Sequence, residues 1–354
     1  MLGLLLLACA GAPADKADAG EEDLAATLPA PGPYPVGYAE RQVDSVDPLT
    51  GAARPLRLAV FYPAAEAVGE TPTFLSGLVT GEGMYAEAPP KAAAFPLAVY
   101  SHGHQGYAEA SSFLAAHLAS HGWIVAAPDH TGNTTADGGD RATAIYYQRP
   151  LDVSAVIDAM TESAEWQAQT DAVLLLGHSF GGYTAFASGG AAYSAETLAS
   201  CDPPSDDGFC SSQTTDSAAL FTSGDLADPR VAGLVAMAPG DFRLFGDAGL
   251  AALDLPALHM TGAIDPNGSD NEAYWAALQG GAHRRVDIAG GGHLTFTDVS
   301  GKLEHIDGLI DPARGWDIVR AYTLAFARQR QGDDRVTPVL DGEMPLYDEV
   351  TLSR

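Results

Sequence analysis

The segment AVLLLGHSFGGYTAF, residues 172–186, decides how this chain folds. It opens with an unbroken apolar run, as expected for a central parallel strand buried on both faces. It then turns through Gly177-His178-Ser179-Phe180-Gly181-Gly182 into a stretch read as a helix over 180–189. The spacing G-x-S-x-G between strand and helix has a steric meaning. A sharp turn holds the serine in strained backbone geometry, and the glycines on either side leave room for it. The turn lifts the hydroxyl out of the sheet and sets it beside the start of the next helix. Backbone N–H groups there stabilise a developing oxyanion. Ser179 is therefore the candidate nucleophile, and the N–H of Phe180 is one candidate donor.

The same rhythm extends outward from this turn. Upstream, LAVYS (97–101) and WIVAAPD (123–129) read as strands, with a helix over 109–121 between them. A helix over 151–164 precedes the central strand. Downstream, VAGLVAMAP (231–239), PALHMTG (256–262) and RRVDIAG (284–290) are strands, and 316–330 is a closing helix. RQVDSVD and RPLRLAVFYP, joined by DPLTGAA, predict an antiparallel pair at the start. Strands alternating with helices give an α/β class: a doubly wound, mostly parallel sheet of about eight strands with an antiparallel beginning. Residues 190–228 break the rhythm and read as a polar insertion over one end of the sheet. Residues 10–35 read as a flexible tether, 36–330 as the folded domain, and 331–354 as a tail lying on the surface.

A serine needs a base, and the base needs an acid to orient it. His293, in GGGHLTF just after the last predicted strand, is placed to swing over Ser179; His283 and His305 lack that setting. Asp265, in MTGAIDPNG, follows the strand 256–262 and emerges at the same sheet edge as Ser179. Asp241 follows the preceding strand in the same manner, and Asp270 is a third choice. The loop after 97–101 reads Ser101-His102-Gly103-His104-Gln105-Gly106, and the N–H of His104 is the second candidate oxyanion donor. The pair His102 and His104 has no third ligand at suitable spacing, so no metal is expected. Tyr107 and His178 are candidate substrate contacts. Tyr146 and Tyr147 fit either the site or the core.

Composition narrows the setting. The chain has 354 residues, 46% of them hydrophobic and 18% charged, which excludes a disordered or coiled-coil protein. A net charge of −28 argues against nucleic acid and against adhesion to anionic lipid through a basic patch. The opening MLGLLLLACAG is too short to span a bilayer and reads as a leader. Leu6-Leu7-Ala8-Cys9 resembles the lipobox of bacterial lipoproteins, although no Lys or Arg precedes the run. That resemblance implies an exported protein, in the periplasm or at the cell surface, anchored in the membrane through a lipid on Cys9. In an oxidising compartment Cys201 and Cys210 are expected to form a local disulfide that clips the insertion.

Four blocks carry a family resemblance: PLAVYSHGHQG, ASHGWIVAAPDHTGNT, QRPLDVSAVIDAM and LLGHSFGGYTAF. With GAIDP and GGGH they resemble the bacterial dienelactone-hydrolase-like and platelet-activating-factor-acetylhydrolase-like α/β-hydrolases, over roughly residues 40–330. The resemblance implies the α/β-hydrolase fold and the chain order serine, acid, histidine. It implies two-step acyl transfer to water through an acyl-Ser179 enzyme, with no cofactor. Dienelactone hydrolases carry a cysteine nucleophile where this chain has Ser179. Short-chain acyl esters, as small molecules, are the expected substrates. A polyester hydrolase, an amidase or peptidase, and a non-catalytic surface-binding lipoprotein on the same fold are the alternatives. Oligomeric state is left open.

Overall fold

The computed structural model describes residues 22–139, 141–202 and 205–354. The described sheet has ten strands. In chain order they are β1 (Val36–Val43), β2 (Leu56–Pro63), β3 (Met84–Ala86), β4 (Phe95–Ser101), β5 (Ile124–Pro128), β6 (Ala168–His178), β7 (Val231–Met237), β8 (Ala257–Gly262), β9 (Arg284–Ile288) and β10 (Val350–Ser353). Across the sheet they run β10-β9-β8-β7-β6-β4-β5-β2-β1-β3. The stretch from β9 to β5 is parallel, and β2 joins it antiparallel through β5. The expected mixed sheet is thus present, with more strands than the sequence suggested.

Period-two alternation assigns each strand residue to one of two cores. From β6, Leu174 and Leu176 face one layer while Val173 and Leu175 face the other. From β4, Ala98 and Tyr100 take the first layer, Leu97 and Val99 the second. The first layer is covered by α2 (Ser112–Ser120) and α9 (Pro312–Arg330). The second is covered by α3 (Thr143–Glu162), α4 (Phe180–Ser188), α7 (Gly246–Ala251) and α8 (Gly268–Ala277). Each Leu, Ile or Val buried in these layers stabilises the fold by about 1.5–3 kcal/mol. Local chemistry sets the helix ends. Gly122 at φ +91 follows the end of α2, and Asp311 caps α9 by accepting the Arg314 N–H ahead of Pro312 in the first turn.

After β5 the chain returns past β4 to form β6 on its other side. The strand order reverses there, and the C-terminal ends of β4 and β6 flank a crevice. This is where the loop 101–106 and Ser179 meet.

Four expectations need correction. Residues 22–35 are docked rather than loose. A short helix α1 (Leu24–Thr27) leads into a fully buried Leu28, whose carbonyl accepts His117 Nε2–H at 2.9 Å. Arg328 holds Glu22 through two hydrogen bonds of 2.8 Å. The tail 331–354 is not a surface wrap: it buries Val336, Val339 and Leu340 and supplies β10, which pairs antiparallel with β9. Helix α3 does not start after Pro150 but runs through it. The proline ring leaves the Tyr146 carbonyl without its helical partner, and Tyr183 Oη–H donates to that carbonyl at 2.7 Å. Finally, the insertion has apolar content of its own.

That insertion carries two short helices, α5 (Ala195–Ala199) and α6 (Thr215–Ser223), and the expected Cys201–Cys210 disulfide. Cross-linking so short a loop restricts the unfolded chain by about 2–3 kcal/mol. Phe209 and Phe221 are buried, with ring centroids 4.9 Å apart, and Phe209 packs edge-on to Tyr146 at 5.1 Å. Tyr146 and Tyr147 are therefore core residues; Tyr147 also donates to Asp47 at 3.0 Å. No described helix is long and apolar enough to cross a membrane. Cys9 and the leader lie outside the described residues.

Candidate active site

Ser179 closes β6 with φ 55 and ψ −117, a conformation that costs about 1–3 kcal/mol for a residue other than glycine. The surrounding glycines are needed for close approach. A Cβ on Gly177 would stand 2.0 Å from the Gly181 carbonyl oxygen, and one on Gly181 1.9 Å from that of Ser101. The turn can therefore be this tight only with glycine at both places. Phe180 opens α4, so its N–H has no acceptor within the helix.

The candidate base arrives from the loop after β9. Gly262 and Gly291 touch backbone to backbone: a Cβ on Gly262 would lie 2.3 Å from the Gly291 oxygen. The next turn brings His293 Nε2 to 3.0 Å from Ser179 Oγ. Its Nδ1 lies 2.9 Å from Asp265 Oδ2. The carboxylate accepts from Nδ1–H, which leaves Nε2 free of a proton and able to accept from the serine hydroxyl.

Asp265 sits on the loop after β8 with its side chain fully buried. Oδ1 accepts the Asn267 N–H at 2.8 Å, and Oδ2 also accepts from Asn271 Nδ2 at 3.3 Å. Burial disfavours the charged carboxylate. The hydrogen bond and charge of His293, together with the Asn267 and Asn271 donors, outweigh that, and the pKa falls below its ordinary value. Asp241, the close rival in the sequence, is engaged elsewhere: Arg141 Nη1 forms an ion pair with it at the mouth of β7. Asp270 makes no described hydrogen bond to His293. His283 is buried near β9, and His305 lies in the loop beyond Glu304; neither contacts Ser179.

Several residues of this site carry no sequence signal. Glu304 accepts the N–H groups of His293 at 2.8 Å and Leu294 at 3.0 Å, pinning the histidine loop. Asn267 and Asn271 fix the Asp265 carboxylate, Asn267 through a turn two residues on and Asn271 from the first turn of α8, whereas no local pattern announces the Glu304 contacts.

The remaining candidates divide. His178, read from the sequence as a substrate contact, faces inward. It is buried, its Nε2–H donates to the His293 carbonyl at 2.8 Å, and its ring lies 4.9 Å from the His293 ring. Burial, then the neighbouring His293, pushes its pKa down to about 3, so it stays a neutral brace. Alternation along β6 sends this side chain toward the core layer of Phe296. Tyr107 packs half-buried on the α2–α9 layer, with a buried hydroxyl that makes no hydrogen bond. His104 flanks the serine turn; its ring approaches Phe180 edge-on at 6.2 Å, and its Nδ1 is 2.8 Å from Asn133 Nδ2. His102 uses both ring nitrogens within the protein, on the Gly103 carbonyl and the His130 N–H. Two clefts lie away from these residues. One of about 490 Å³ runs between the segment 78–84 and α2 and α9, and one of about 250 Å³ lies beside α6; neither is lined by Ser179 or His293.

A family model described as chlorophyllase matches residues 78–214, a span that includes the 101–106 loop and Ser179 but neither Asp265 nor His293. Among proteins of curated function none matches the chain. Among solved structures, the chain is similar to a ferulic acid esterase from Streptomyces cinnamoneus. The TM-score is 0.65 at 22% sequence identity, covering 92% of this chain and 99% of that one. The sheet order, the serine turn and this structural similarity together establish that the chain has the α/β-hydrolase fold.

Proposed function

We propose that this protein is a serine carboxylic-ester hydrolase acting on short-chain acyl esters. One observation carries the reading: the continuous hydrogen-bond chain from Asp265 through His293 to Ser179, with the serine held in a strained turn. Ser179 Oγ attacks the ester carbonyl as His293 Nε2 takes its proton. Asp265 holds the ring in the competent tautomer and stabilises the imidazolium. The N–H groups of His104 and Phe180 receive the oxyanion. The imidazolium then protonates the departing alcohol. Water, activated by the same histidine, cleaves the acyl-enzyme and releases the acid. The esterase names of the family model and of the structural neighbour support the reaction class. A series of p-nitrophenyl esters from acetate to palmitate tests the substrate range. The highest kcat/KM is expected at the short end, and an optimum at long chains would overturn that part of the reading.

Cys9, read as a lipidation site, would hold the enzyme at a membrane surface outside the cytoplasm. Fractionation checks this: Cys9→Ala should move the protein from the membrane to the soluble fraction. An unchanged distribution would remove the anchor.

A further inference from the structure

Beneath the loop that follows β4 sits a guanidinium that the proposed reaction does not use. Arg149 lies in α3 and is 1% exposed. Its Nη2 donates to the His102 carbonyl and, at 3.4 Å, to that of Gly103. The guanidinium covers the Phe180 ring, 4.6 Å from its centroid. Nε and Nη1 are buried and make no hydrogen bond. Among the described residues no carboxylate lies within ion-pair distance. Asp152 gives its Oδ2 to Arg54 and His130 instead, each at 3.0 Å. Burying a cation without a counter-charge costs several kcal/mol, and an apolar side chain of similar size would avoid that cost. Burial pulls the group down to about 9, which still leaves it charged at neutral pH.

What this charge does follows from the peptide planes above it. His102 Nε2 accepts the His130 N–H at 3.1 Å, so the proton of the neutral ring sits on Nδ1. Nδ1–H then donates to the Gly103 carbonyl at 2.7 Å. Burial, with the charge of Arg149, keeps that ring neutral by pushing its pKa well below the ordinary value. The Gly106 N–H reaches the same carbonyl at 3.1 Å. The Gly103 carbonyl is thus held from below by Arg149, His102 and Gly106. In a trans peptide the N–H points opposite to the C=O. Holding this carbonyl down therefore turns the His104 N–H up, away from α3. The nucleophile is close by: a Cβ built on Gly103 would stand 3.4 Å from Ser179 Cβ.

We propose that Arg149 is a positioning residue for the oxyanion hole: with His102 it fixes the Gly103–His104 peptide so that the His104 N–H faces the reacting carbonyl oxygen. This rests on the reading of Ser179 as nucleophile and of His104 and Phe180 as donors. The positive charge behind the peptide also polarises it, which makes its N–H a stronger donor. Both effects favour the anionic tetrahedral state over the neutral ester, so they act on kcat more than on KM.

Arg149→Lys and Arg149→Met test the idea on the full chain. In folded variants kcat for p-nitrophenyl acetate is expected to fall on the order of 100-fold, the loss that a misplacement of about 1 Å produces. KM should stay within about threefold. Butaneboronic acid, which binds the serine as a tetrahedral anion, should lose affinity by a similar factor, while butyrate, a product, should not. Lysine keeps the charge without the fork and should lose less than methionine. A structural role alone would lower the unfolding midpoint and weaken both ligands together. The proposal is overturned if a folded variant retains its kcat, or if the loss falls on KM. Should Arg149→Met fail to fold, Arg149→Lys decides by the same readouts. A wild-type protein that neither turns over esters nor takes up a fluorophosphonate would instead sink the underlying reading, and this proposal with it.

Discussion

Replacing Ser179 by alanine is expected to lower kcat by about 10⁶-fold and to abolish labelling by a fluorophosphonate. The size follows from the chemistry. In the proposed reaction Oγ forms the covalent intermediate, and without it the histidine and the acid have no proton to take. Oxyanion donors and substrate binding then supply only the residual acceleration. The fold should hardly register the change. Alanine keeps the Cβ that already stands at φ 55, and the loss is one hydrogen bond of 3.0 Å to His293 at a partly exposed position. Stability should therefore shift by no more than about 1 kcal/mol in a urea titration. Pairing the two measurements separates chemistry from collapse. A wild type that resists the fluorophosphonate would favour a binding protein that kept the fold without its reaction. A Ser179→Ala variant that retained turnover would point to another nucleophile.

The serine turn was legible in the sequence because everything that shapes it is local. An apolar strand, two glycines and a helix start lie within a dozen or so consecutive residues, and the sterics of that turn leave few other readings. His293 was legible for a related reason, since a glycine-rich loop after a strand lets a ring reach across. The acid was only partly legible. Asp241 and Asp265 both follow parallel strands, and sequence spacing put Asp265 first without excluding Asp241. Their separation depends on Arg141, which is 100 residues from Asp241 in the chain yet ion-paired with it. Glu304 was invisible because its contacts are with the main chain, and every residue type but proline supplies an N–H. The misreadings at the termini share a cause. Residues 22–35 look like a tether by composition, yet His117 and Arg328 supply partners that no local window contains. Pro150 shows a local rule giving way to a tertiary contact. The break it predicts does not occur because Tyr183 satisfies the carbonyl it orphans.

The choice between the two aspartates yields the second large effect. Asp265→Asn is expected to lower kcat by about 10⁴-fold with little change in KM. The argument turns on which way the new amide points. In the native site Oδ1 accepts the Asn267 N–H at 2.8 Å, and that donor is main chain and cannot reverse. The oxygen of an asparagine at 265 is therefore held toward Asn267, and its NH₂ occupies the place of Oδ2, 2.9 Å from His293 Nδ1. Two donors cannot share that contact, so Nδ1 gives up its proton and becomes the acceptor. The neutral ring then carries its proton on Nε2, the atom that must accept from Ser179 Oγ. Geometry survives while the tautomer is wrong. The side chain of Asn271 can turn its oxygen toward the new NH₂, so folding should persist. Asp241→Asn provides the contrast. Its carboxylate answers to Arg141, and kcat should change by less than about tenfold, in keeping with the small cost of altering a partly exposed pair. Steady-state kinetics on both variants decide the matter. If Asp241→Asn carries the 10⁴-fold loss and Asp265→Asn does not, then the acid has been assigned to the wrong strand, and the hydrogen bond at Nδ1 is not the one that orients the base.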